Sequence, residues 1–238
     1  MGRSSQNLRL ELLPGLLCDH AVWEHLSSQY NGSQIADYGH LDSIEAMATY
    51  VLEAAPAEFA LAGHSMGGRV ALEVVRQAPE RVKQLILLDT GYLPRVEGDA
   101  GEQERAGRMA LLEIARTKGM RAVGEKWVQG MVHPGRLQDQ PLIESILQMI
   151  ERKTPDIFAA QINALLNRPD ATPVLQSLTC PTLLMCGRED SWSPLARHQD
   201  MQMLAPASEL IAIENSGHMS TMEQPQSVTA AILDWLAK

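Results

Sequence analysis

The chain has 238 residues, of which 45% are hydrophobic and 21% charged, and its formal net charge is −9 at pH 7. This length and composition fit one globular α/β domain, or one domain with an insertion. The acidic balance argues against a nucleic-acid-binding protein, which needs a concentrated basic face. No apolar run approaches the roughly 20 residues that a membrane-spanning helix requires.

The amino-terminal residues M-G-R-S-S-Q are polar, which predicts that the chain has no secretory signal peptide. Gly2 is in place for myristoylation, but the position that needs Ser or Thr is Gln6, so that motif fails. The three cysteines form neither a disulfide framework nor a C-x-x-C pair. Such sparse cysteines are typical of a reducing compartment, and the expected location is the cytoplasm.

Short apolar runs bounded by turn residues predict six strands, at 8–13, 33–37, 59–62, 82–88, 181–186 and 210–213. Helical patterns follow most of them: a weak one at 21–29, a helix capped by Ser43 through about residue 55, and helices at 66–77, 194–204 and 224–237. Strands that alternate with helices predict right-handed crossovers and a mostly parallel α/β sheet of about six strands, flanked by helices.

Residues 94–173 contain no convincing strand and instead carry four helical patterns, at 101–117, 119–132, 138–152 and 154–167. Because this block enters and leaves beside strand ends, we expect a four-helix cap inserted after the fourth strand. In this interpretation, residues 1–93 and 174–238 form the core. The alternative is a separate helical domain packed elsewhere.

The stretch 59–75 reads F-A-L-A-G-H-S-M-G-G-R-V-A-L-E-V-V, a buried strand, a turn rich in glycine and a helix. Gly63, Ser65 and Gly67 match the G-x-S-x-G nucleophile elbow, a turn so sharp that its neighbours must lack bulky side chains. The pattern predicts that Ser65 is a nucleophile held at the start of a helix. The alternative is an ordinary glycine-rich turn.

A serine nucleophile needs a base that takes its proton and an acid that orients the base. His218 lies in a polar loop between the last strand and the last helix, where such a base is required. Asp190 follows the preceding strand and completes the chain order Ser, Asp, His that this elbow demands. Asp89, at the end of the fourth strand, remains an alternative acid. His64 is expected to support the elbow from the opposite side.

The oxyanion hole requires two converging backbone N–H groups. We expect one from Met66, which follows the nucleophile, and one from Leu16 in the loop after the first strand, with Leu17 as the second choice. An apolar substrate pocket is expected below and beside the cap, and its candidate lining residues are Leu16, Leu17, Met109, Trp127, Met131, Met149 and Trp192. The Met and Trp side chains could instead be ordinary core residues.

In combination, three motifs resemble the α/β-hydrolase fold superfamily: G-H-S-M-G-G at 63–68, C-G-R-E-D-S-W-S-P at 186–194 and S-G-H-M-S-T-M-E-Q-P at 216–225. The chain looks most like the small bacterial esterase branch with a helical cap, which includes carboxylesterases, enol-lactonases and pimeloyl-carrier-protein methyl esterases. The resemblance implies a Ser65, Asp190 and His218 triad, with Met66 and Leu16 at the oxyanion hole. One departure is Pro14-Gly15, where many relatives have His-Gly.

These features predict a serine hydrolase that cleaves small to medium carboxylic esters through an acyl-enzyme intermediate. We expect an apolar small-molecule ester as substrate, no metal or organic cofactor, no membrane or nucleic-acid partner, and a monomer or weak homodimer. The same triad could instead hydrolyse a lactone, a thioester or a carbon–carbon bond, and a receptor that has lost catalysis is a further alternative. The stretch 67–72 is also similar to the menaquinone-pathway synthase, a non-hydrolytic eliminase.

Four cap arginines are a separate open question: Arg105, Arg108, Arg121 and Arg152. They could bind an anionic substrate tail or a carrier protein, or simply form a solvated face.

Overall fold

The computed structural model describes residues 8–238, so the interpretation of Gly2 and Gln6 lies outside the described residues. Six strands form one parallel sheet: β1 (Arg9–Leu13), β2 (Ser33–Ile35), β3 (Phe59–His64), β4 (Val82–Leu88), β5 (Thr182–Gly187) and β6 (Glu209–Ile213). Their spatial order is β2-β1-β3-β4-β5-β6, and every neighbouring pair is parallel. The predicted six-stranded parallel sheet is therefore confirmed.

Helices connect the strands and cover both faces of the sheet. Those outside the β4–β5 connection are α1 (Glu24–Ser27), which follows a 3₁₀ turn at His20–Trp23, α2 (Ile44–Ala54), α3 (Met66–Gln77), α9 (Leu195–Leu204), α10 (Ser220–Glu223) and α11 (Pro225–Leu236). Ser43 caps α2 as predicted, because its hydroxyl accepts the Ala46 N–H. The single helix predicted at 224–237 starts one residue later, at Pro225, after the separate short helix α10.

The β4–β5 connection, here called the insertion, contains five α-helices: α4 (Asp99–Lys118), α5 (Met120–Met131), α6 (Gln140–Glu151), α7 (Pro155–Leu166) and α8 (Thr172–Gln176). The first four correspond to the predicted helical patterns. The fifth was not predicted, and it crosses the boundary expected at residue 173. Pro173 does not end a helical block. It lies in the first turn of α8, where proline is well tolerated.

The insertion and the sheet share one hydrophobic core. A single cluster of buried side chains joins Leu12 and Ile86 of the sheet to Val123, Ile146 and Phe158 of the insertion. A second cluster fills the other face, beneath α2 and α3. Because the insertion packs directly on the sheet, it is held beside the ends of the strands.

None of the helices in residues 8–238 combines the length and apolar character that a bilayer-spanning helix needs.

Candidate active site

The elbow has the backbone that its sequence predicts. β3 ends at His64, α3 begins at Met66, and Ser65 between them has φ 55° and ψ −116°. A Cβ at Gly63 would lie 2.3 Å from the Gly67 carbonyl oxygen, and one at Gly67 would lie 2.1 Å from the Leu13 carbonyl oxygen. Only glycine fits at these two positions, so the packing around the elbow explains the motif.

Ser65, His218 and Asp190 form one continuous hydrogen-bonded chain. His218 Nε2 lies 2.8 Å from Ser65 Oγ, and His218 Nδ1 lies 2.8 Å from Asp190 Oδ2. His218 and Asp190 are buried, whereas Ser65 is partly exposed. Ser65 lies 153 positions from His218 along the chain, and Asp190 lies 28 positions from it, yet the strand ends bring the three residues together. This geometry suits transfer of the serine proton to the imidazole.

The charges of Asp190 and His218 stabilise one another. Asp190 Oδ1 accepts the N–H groups of Trp192 and Ser193, both at 2.8 Å. Burial alone would raise the pKa of Asp190, but the charge of His218 and these hydrogen bonds lower it below its usual value. Burial likewise opposes the charged form of His218, but Asp190 raises the pKa of His218 above 6.5. Asp190 therefore stabilises a proton on the imidazole.

Asp89, the alternative acid, makes no hydrogen bond to the imidazole of His218 among residues 8–238. Its Oδ1 accepts the Gly187 N–H at 2.8 Å, and its Oδ2 contacts the hydroxyl of Ser220. Burial and the nearby charge of Asp190 raise the pKa of Asp89 to about 8. A carboxyl group held in its neutral form is a poor partner for a cationic imidazole, so the geometry favours Asp190 as the orienting acid.

His64 supports the site from the opposite side. Its Nε2 donates to the carbonyl oxygen of His218 at 2.9 Å, and its Nδ1 is buried without a partner among the described residues. Burial and the neighbouring His218 charge lower the pKa of His64 to about 4. A neutral His64 thus joins the elbow to the His218 loop, as the sequence led us to expect.

A buried glutamate that the sequence reasoning missed holds the His218 loop in place. Glu223 accepts the N–H groups of His133 at 2.7 Å and Gly217 at 2.9 Å. The His218 N–H in turn donates to the carbonyl oxygen of Met131, at the end of α5. A signal was available in the sequence, because Glu223 lies five residues beyond His218 and the four residues between them carry no charge.

The two expected oxyanion-hole donors are free to bind a ligand. Within residues 8–238, neither the Leu16 N–H nor the Met66 N–H has an acceptor. The second choice, Leu17, is not available. Its N–H donates to Gln161 Oε1 of α7 at 2.8 Å, and it has φ 60°. Gln161 was missed because nothing in a helical Gln among apolar neighbours indicates its partner.

A cavity of about 810 Å³ lies above Ser65. Its wall includes Leu16, together with three of the expected pocket residues, Trp127, Met131 and Trp192. The indole of Trp192 stacks obliquely against the ring of His218, with their centroids 5.0 Å apart. The cavity therefore brings an apolar surface to the hydroxyl of Ser65.

Three other expected pocket residues are not in the cavity wall. Leu17 is fully buried in the hydrophobic core and is not in the cavity wall, so the prediction that it lines the pocket is wrong. Met149 is also fully buried, and Met109 is 45% exposed on the other face of its helix. Helical periodicity alone does not show which face of a cap helix meets the cavity.

Asp89, Cys186 and Asp190 place their possible metal-ligating atoms within 4.8 Å of one another. Each of these groups already has hydrogen-bond partners inside the protein: Cys186 Sγ, for example, is 3.2 Å from the Ser193 carbonyl oxygen. Burial raises the pKa of the Cys186 thiol, which disfavours the thiolate that a metal would bind. The residues present do not fit a metal site.

Comparisons with known proteins agree with this architecture. The model of the family described as "Alpha/beta hydrolase family" matches residues 12–232. A pimeloyl-[acyl-carrier protein] methyl ester esterase from Nitrosomonas europaea is 27% identical over 232 residues, which cover 91% of each chain.

Solved structures are similar over nearly the whole chain. A thermophilic esterase from Thermogutta terrifontis, solved with malate bound, has a TM-score of 0.82 and 29% identity, covering 97% of this chain and 89% of its own. MenH from S. aureus has a TM-score of 0.80 and 20% identity, covering 99% of this chain and 96% of its own. At that identity the likeness to MenH shows the fold alone.

Proposed function

The chain belongs to the alpha/beta hydrolase family, and we propose that it is a serine esterase that cleaves small to medium carboxylic esters. The observation that carries the proposal is the hydrogen-bonded chain Ser65–His218–Asp190 at the floor of the cavity. The esterase names of the relatives from Nitrosomonas europaea and Thermogutta terrifontis support the same reaction class.

In the proposed mechanism, Ser65 Oγ attacks the ester carbonyl carbon while His218 Nε2 takes the serine proton. The oxyanion of the tetrahedral intermediate accepts hydrogen bonds from the N–H groups of Leu16 and Met66. Loss of one such donor typically costs about 3–4 kcal/mol of transition-state stabilisation. Asp190 holds the imidazole in the orientation that its protonation requires.

The intermediate collapses when His218 donates its proton to the alkoxy oxygen, and the alcohol leaves. The acyl group is then bonded to Ser65 Oγ. A water molecule gives one proton to His218 and attacks the acyl carbon, and breakage of the acyl–oxygen bond releases the acid and restores the serine hydroxyl. Every proton is carried by His218, so the reaction requires no metal or organic cofactor.

The same triad could cleave a lactone, a thioester or a carbon–carbon bond, or it could catalyse an elimination. One observation keeps the elimination open: Arg69, within the stretch similar to the menaquinone-pathway synthase, lies in the cavity wall near Ser65. An elimination requires no acyl-enzyme, so ester turnover through an acyl group trapped on Ser65 separates the two classes of reaction.

The test compares hydrolysis of short-chain p-nitrophenyl esters by the native chain and by Ser65→Ala, with Ser28→Ala as the matched control because Ser28 is exposed on α1's flank. We expect Ser65→Ala to lower kcat by at least about 10,000-fold, as for other triad serines, and Ser28→Ala to retain full activity. Mass spectrometry after treatment with a phosphonate should find the label on Ser65. Absence of both labelling and turnover would refute the proposal.

We also propose that the enzyme acts in the cytoplasm on a free small molecule, as a monomer or weak homodimer. The proposed location is supported by the three cysteines, all of which are free thiols in the structure. Light scattering coupled to size-exclusion chromatography tests the oligomeric state.

A further inference from the structure

Four arginines line the cavity that contains Ser65 and form what we call the arginine cluster: Arg69, Arg108, Arg168 and Arg197. Two come from the insertion, one from α3 and one from α9. Only Arg108 was among the cap arginines that the sequence brought forward. The other three were missed because their convergence depends on how the insertion packs on the sheet.

Shared contacts connect the members of the cluster. Arg69 Nη1 and Arg168 Nε both donate to the carbonyl oxygen of Leu93, at 2.8 and 3.3 Å. Arg197 approaches Arg69 at Gly91, where a Cβ would lie 2.8 Å from Arg69 Nη2 and 3.4 Å from Arg197 Nη1. The backbone at Gly91 must lack a side chain for both guanidinium groups to reach this point.

The cluster holds more positive than negative charge. Glu104 pairs with Arg168 through two hydrogen bonds of 2.7 and 2.9 Å and also accepts from Arg108 at 3.0 Å. Within residues 8–238, Arg69 and Arg197 donate to backbone carbonyls but pair with no carboxylate. Glu104 therefore pairs with two of the four guanidinium groups, and the uncompensated charge lies on Arg69 and Arg197.

Like charges this close oppose one another. Burial and the charges of the three other arginines lower the pKa of Arg69 to about 9. Arg69 and Arg197 are half-buried, and each guanidinium offers a planar pair of donors that matches a carboxylate.

We infer that Arg69 and Arg197 bind a carboxylate of the substrate, so that the hydrolysed ester carries a second, ionised carboxyl group. This inference rests on the proposed esterase function and specifies its substrate class. Arg69 lies four residues after Ser65, about 6 Å along the axis of α3, and both residues line the same cavity. Glu104 keeps Arg108 and Arg168 in place behind the anion.

The outer cap arginines provide the contrast. Arg121 pairs with Glu144 and Glu151, and Arg152 pairs with Asp19, so each already has a carboxylate partner. Neither Arg121 nor Arg152 is in the wall of the cavity. Arg121→Gln is therefore a matched control that removes a cap arginine without touching the arginine cluster.

The test measures kcat/KM for monomethyl esters of C4 to C7 dicarboxylic acids and for the dimethyl esters of the same acids. We expect the native chain to prefer the charged monoester at one chain length by at least tenfold. Arg69→Gln and Arg197→Gln should each lower the ratio of monoester to diester kcat/KM by roughly 10- to 100-fold, the range for hydrogen bonds to a charged group. Arg69→Lys should retain part of the preference, and Arg121→Gln all of it.

Calorimetry with Ser65→Ala separates this inference from the proposed function, because it measures binding of the monomethyl esters without turnover. Ester hydrolysis that depends on Ser65 but shows no preference for the monoester would overturn the inference and leave the esterase proposal intact. Monoester binding that depends on Arg69, in a chain that hydrolyses no ester, would instead refute the esterase proposal and leave the carboxylate site intact. Melting temperatures identify a variant that fails to fold. Because Arg69→Gln and Arg197→Gln lie on different helices, failure of one variant to fold leaves the other to test the inference.

Discussion

Gln161 Oε1 accepts a hydrogen bond from the backbone N–H of Leu17 at 2.8 Å, across 144 residues of sequence. The bond joins α7 of the insertion to the loop after β1, and both residues are buried. It holds Leu17 at a φ of 60°, a conformation that costs a side-chain-bearing residue about 1–2 kcal/mol. The insertion therefore stabilises the loop that carries the expected oxyanion donor, Leu16.

Replacing Gln161 by Leu should lower both stability and turnover. The Leu17 N–H would be left buried without an acceptor, which costs about 1–3 kcal/mol in the free energy of unfolding. Because Leu16 is the next residue, kcat for p-nitrophenyl esters should fall more than KM rises. Urea unfolding and steady-state kinetics measure the two effects, with the exposed Gln148→Ala on α6 as control. An unchanged kcat in a destabilised variant would show that the bond serves stability alone.

Asp190→Asn and Asp89→Asn should differ sharply in their effect on catalysis. Asp190 contacts the imidazole of His218 directly, and loss of the orienting charge in a triad lowers kcat by about 10,000-fold. Asp89 contacts Gly187 and Ser220 instead, so Asp89→Asn should cost less than about tenfold. Comparable losses in the two variants would make Asp89 a participant in the triad.

The pH dependence of ester hydrolysis should follow the titration of His218. The base must be neutral, and Asp190 raises the pKa of His218 above 6.5, so kcat/KM should fall as the pH drops through a value above 6.5. Its profile from pH 4 to 9 is the measurement. An acid limb near pH 4 would instead point to His64, whose pKa is about 4.

Asp89 should make the protein less stable as the pH rises. Its pKa is about 8 in the folded chain and 3.8 as its ordinary value, so between these values the folded state holds a proton that the unfolded state has lost. Stability therefore falls with rising pH across this window, by up to about 1.4 kcal/mol per pH unit. Asp89→Asn removes this contribution. Relative to the native chain, the Tm of Asp89→Asn should increase from pH 5 to pH 8. A difference in Tm that stays constant would contradict the raised pKa assigned to Asp89.

Glu223 should show a graded response to substitution. Glu223→Ala removes the acceptor of the His133, Gly217 and Met219 N–H groups, whereas Glu223→Gln keeps one acceptor oxygen. We expect kcat to fall and the melting temperature to drop in the order native, Gln, Ala, since each buried N–H left unpaired costs about 1–3 kcal/mol. Equal effects of Gln and Ala would mean that the charge, not the hydrogen bonds, holds the loop.

The sequence predicted most of what depends on local pattern and chain order. Apolar runs predicted the six strands, and the glycines around Ser65 predicted the elbow, because backbone geometry there permits no other residue. The strand ends also indicated that His218 and Asp190 would approach Ser65, and the structure places them at hydrogen-bond distance. Their catalytic roles remain a prediction until the variants are measured.

The contacts between the insertion and the sheet could not be predicted in this way. Gln161 and Arg197 carry no local signal, since their partners lie on elements brought close only by tertiary packing. For the same reason, helical periodicity in α4 did not reveal that Met109 faces away from the cavity while Arg108 faces into it. A single sequence predicts where a helix of the insertion begins and ends more readily than which of its faces meets the cavity.

β4 and β5 are hydrogen-bonded parallel neighbours, with Leu85 beside Thr182, so the connection that contains the insertion leaves at the carboxyl end of β4 and returns at the amino end of β5. The entropy of closing such a connection grows only slowly with its length. Descendants of this gene can therefore lengthen, shorten or exchange the insertion while the sheet and the elbow keep their geometry. New substrate ranges could arise in that segment without altering Ser65, His218 or Asp190.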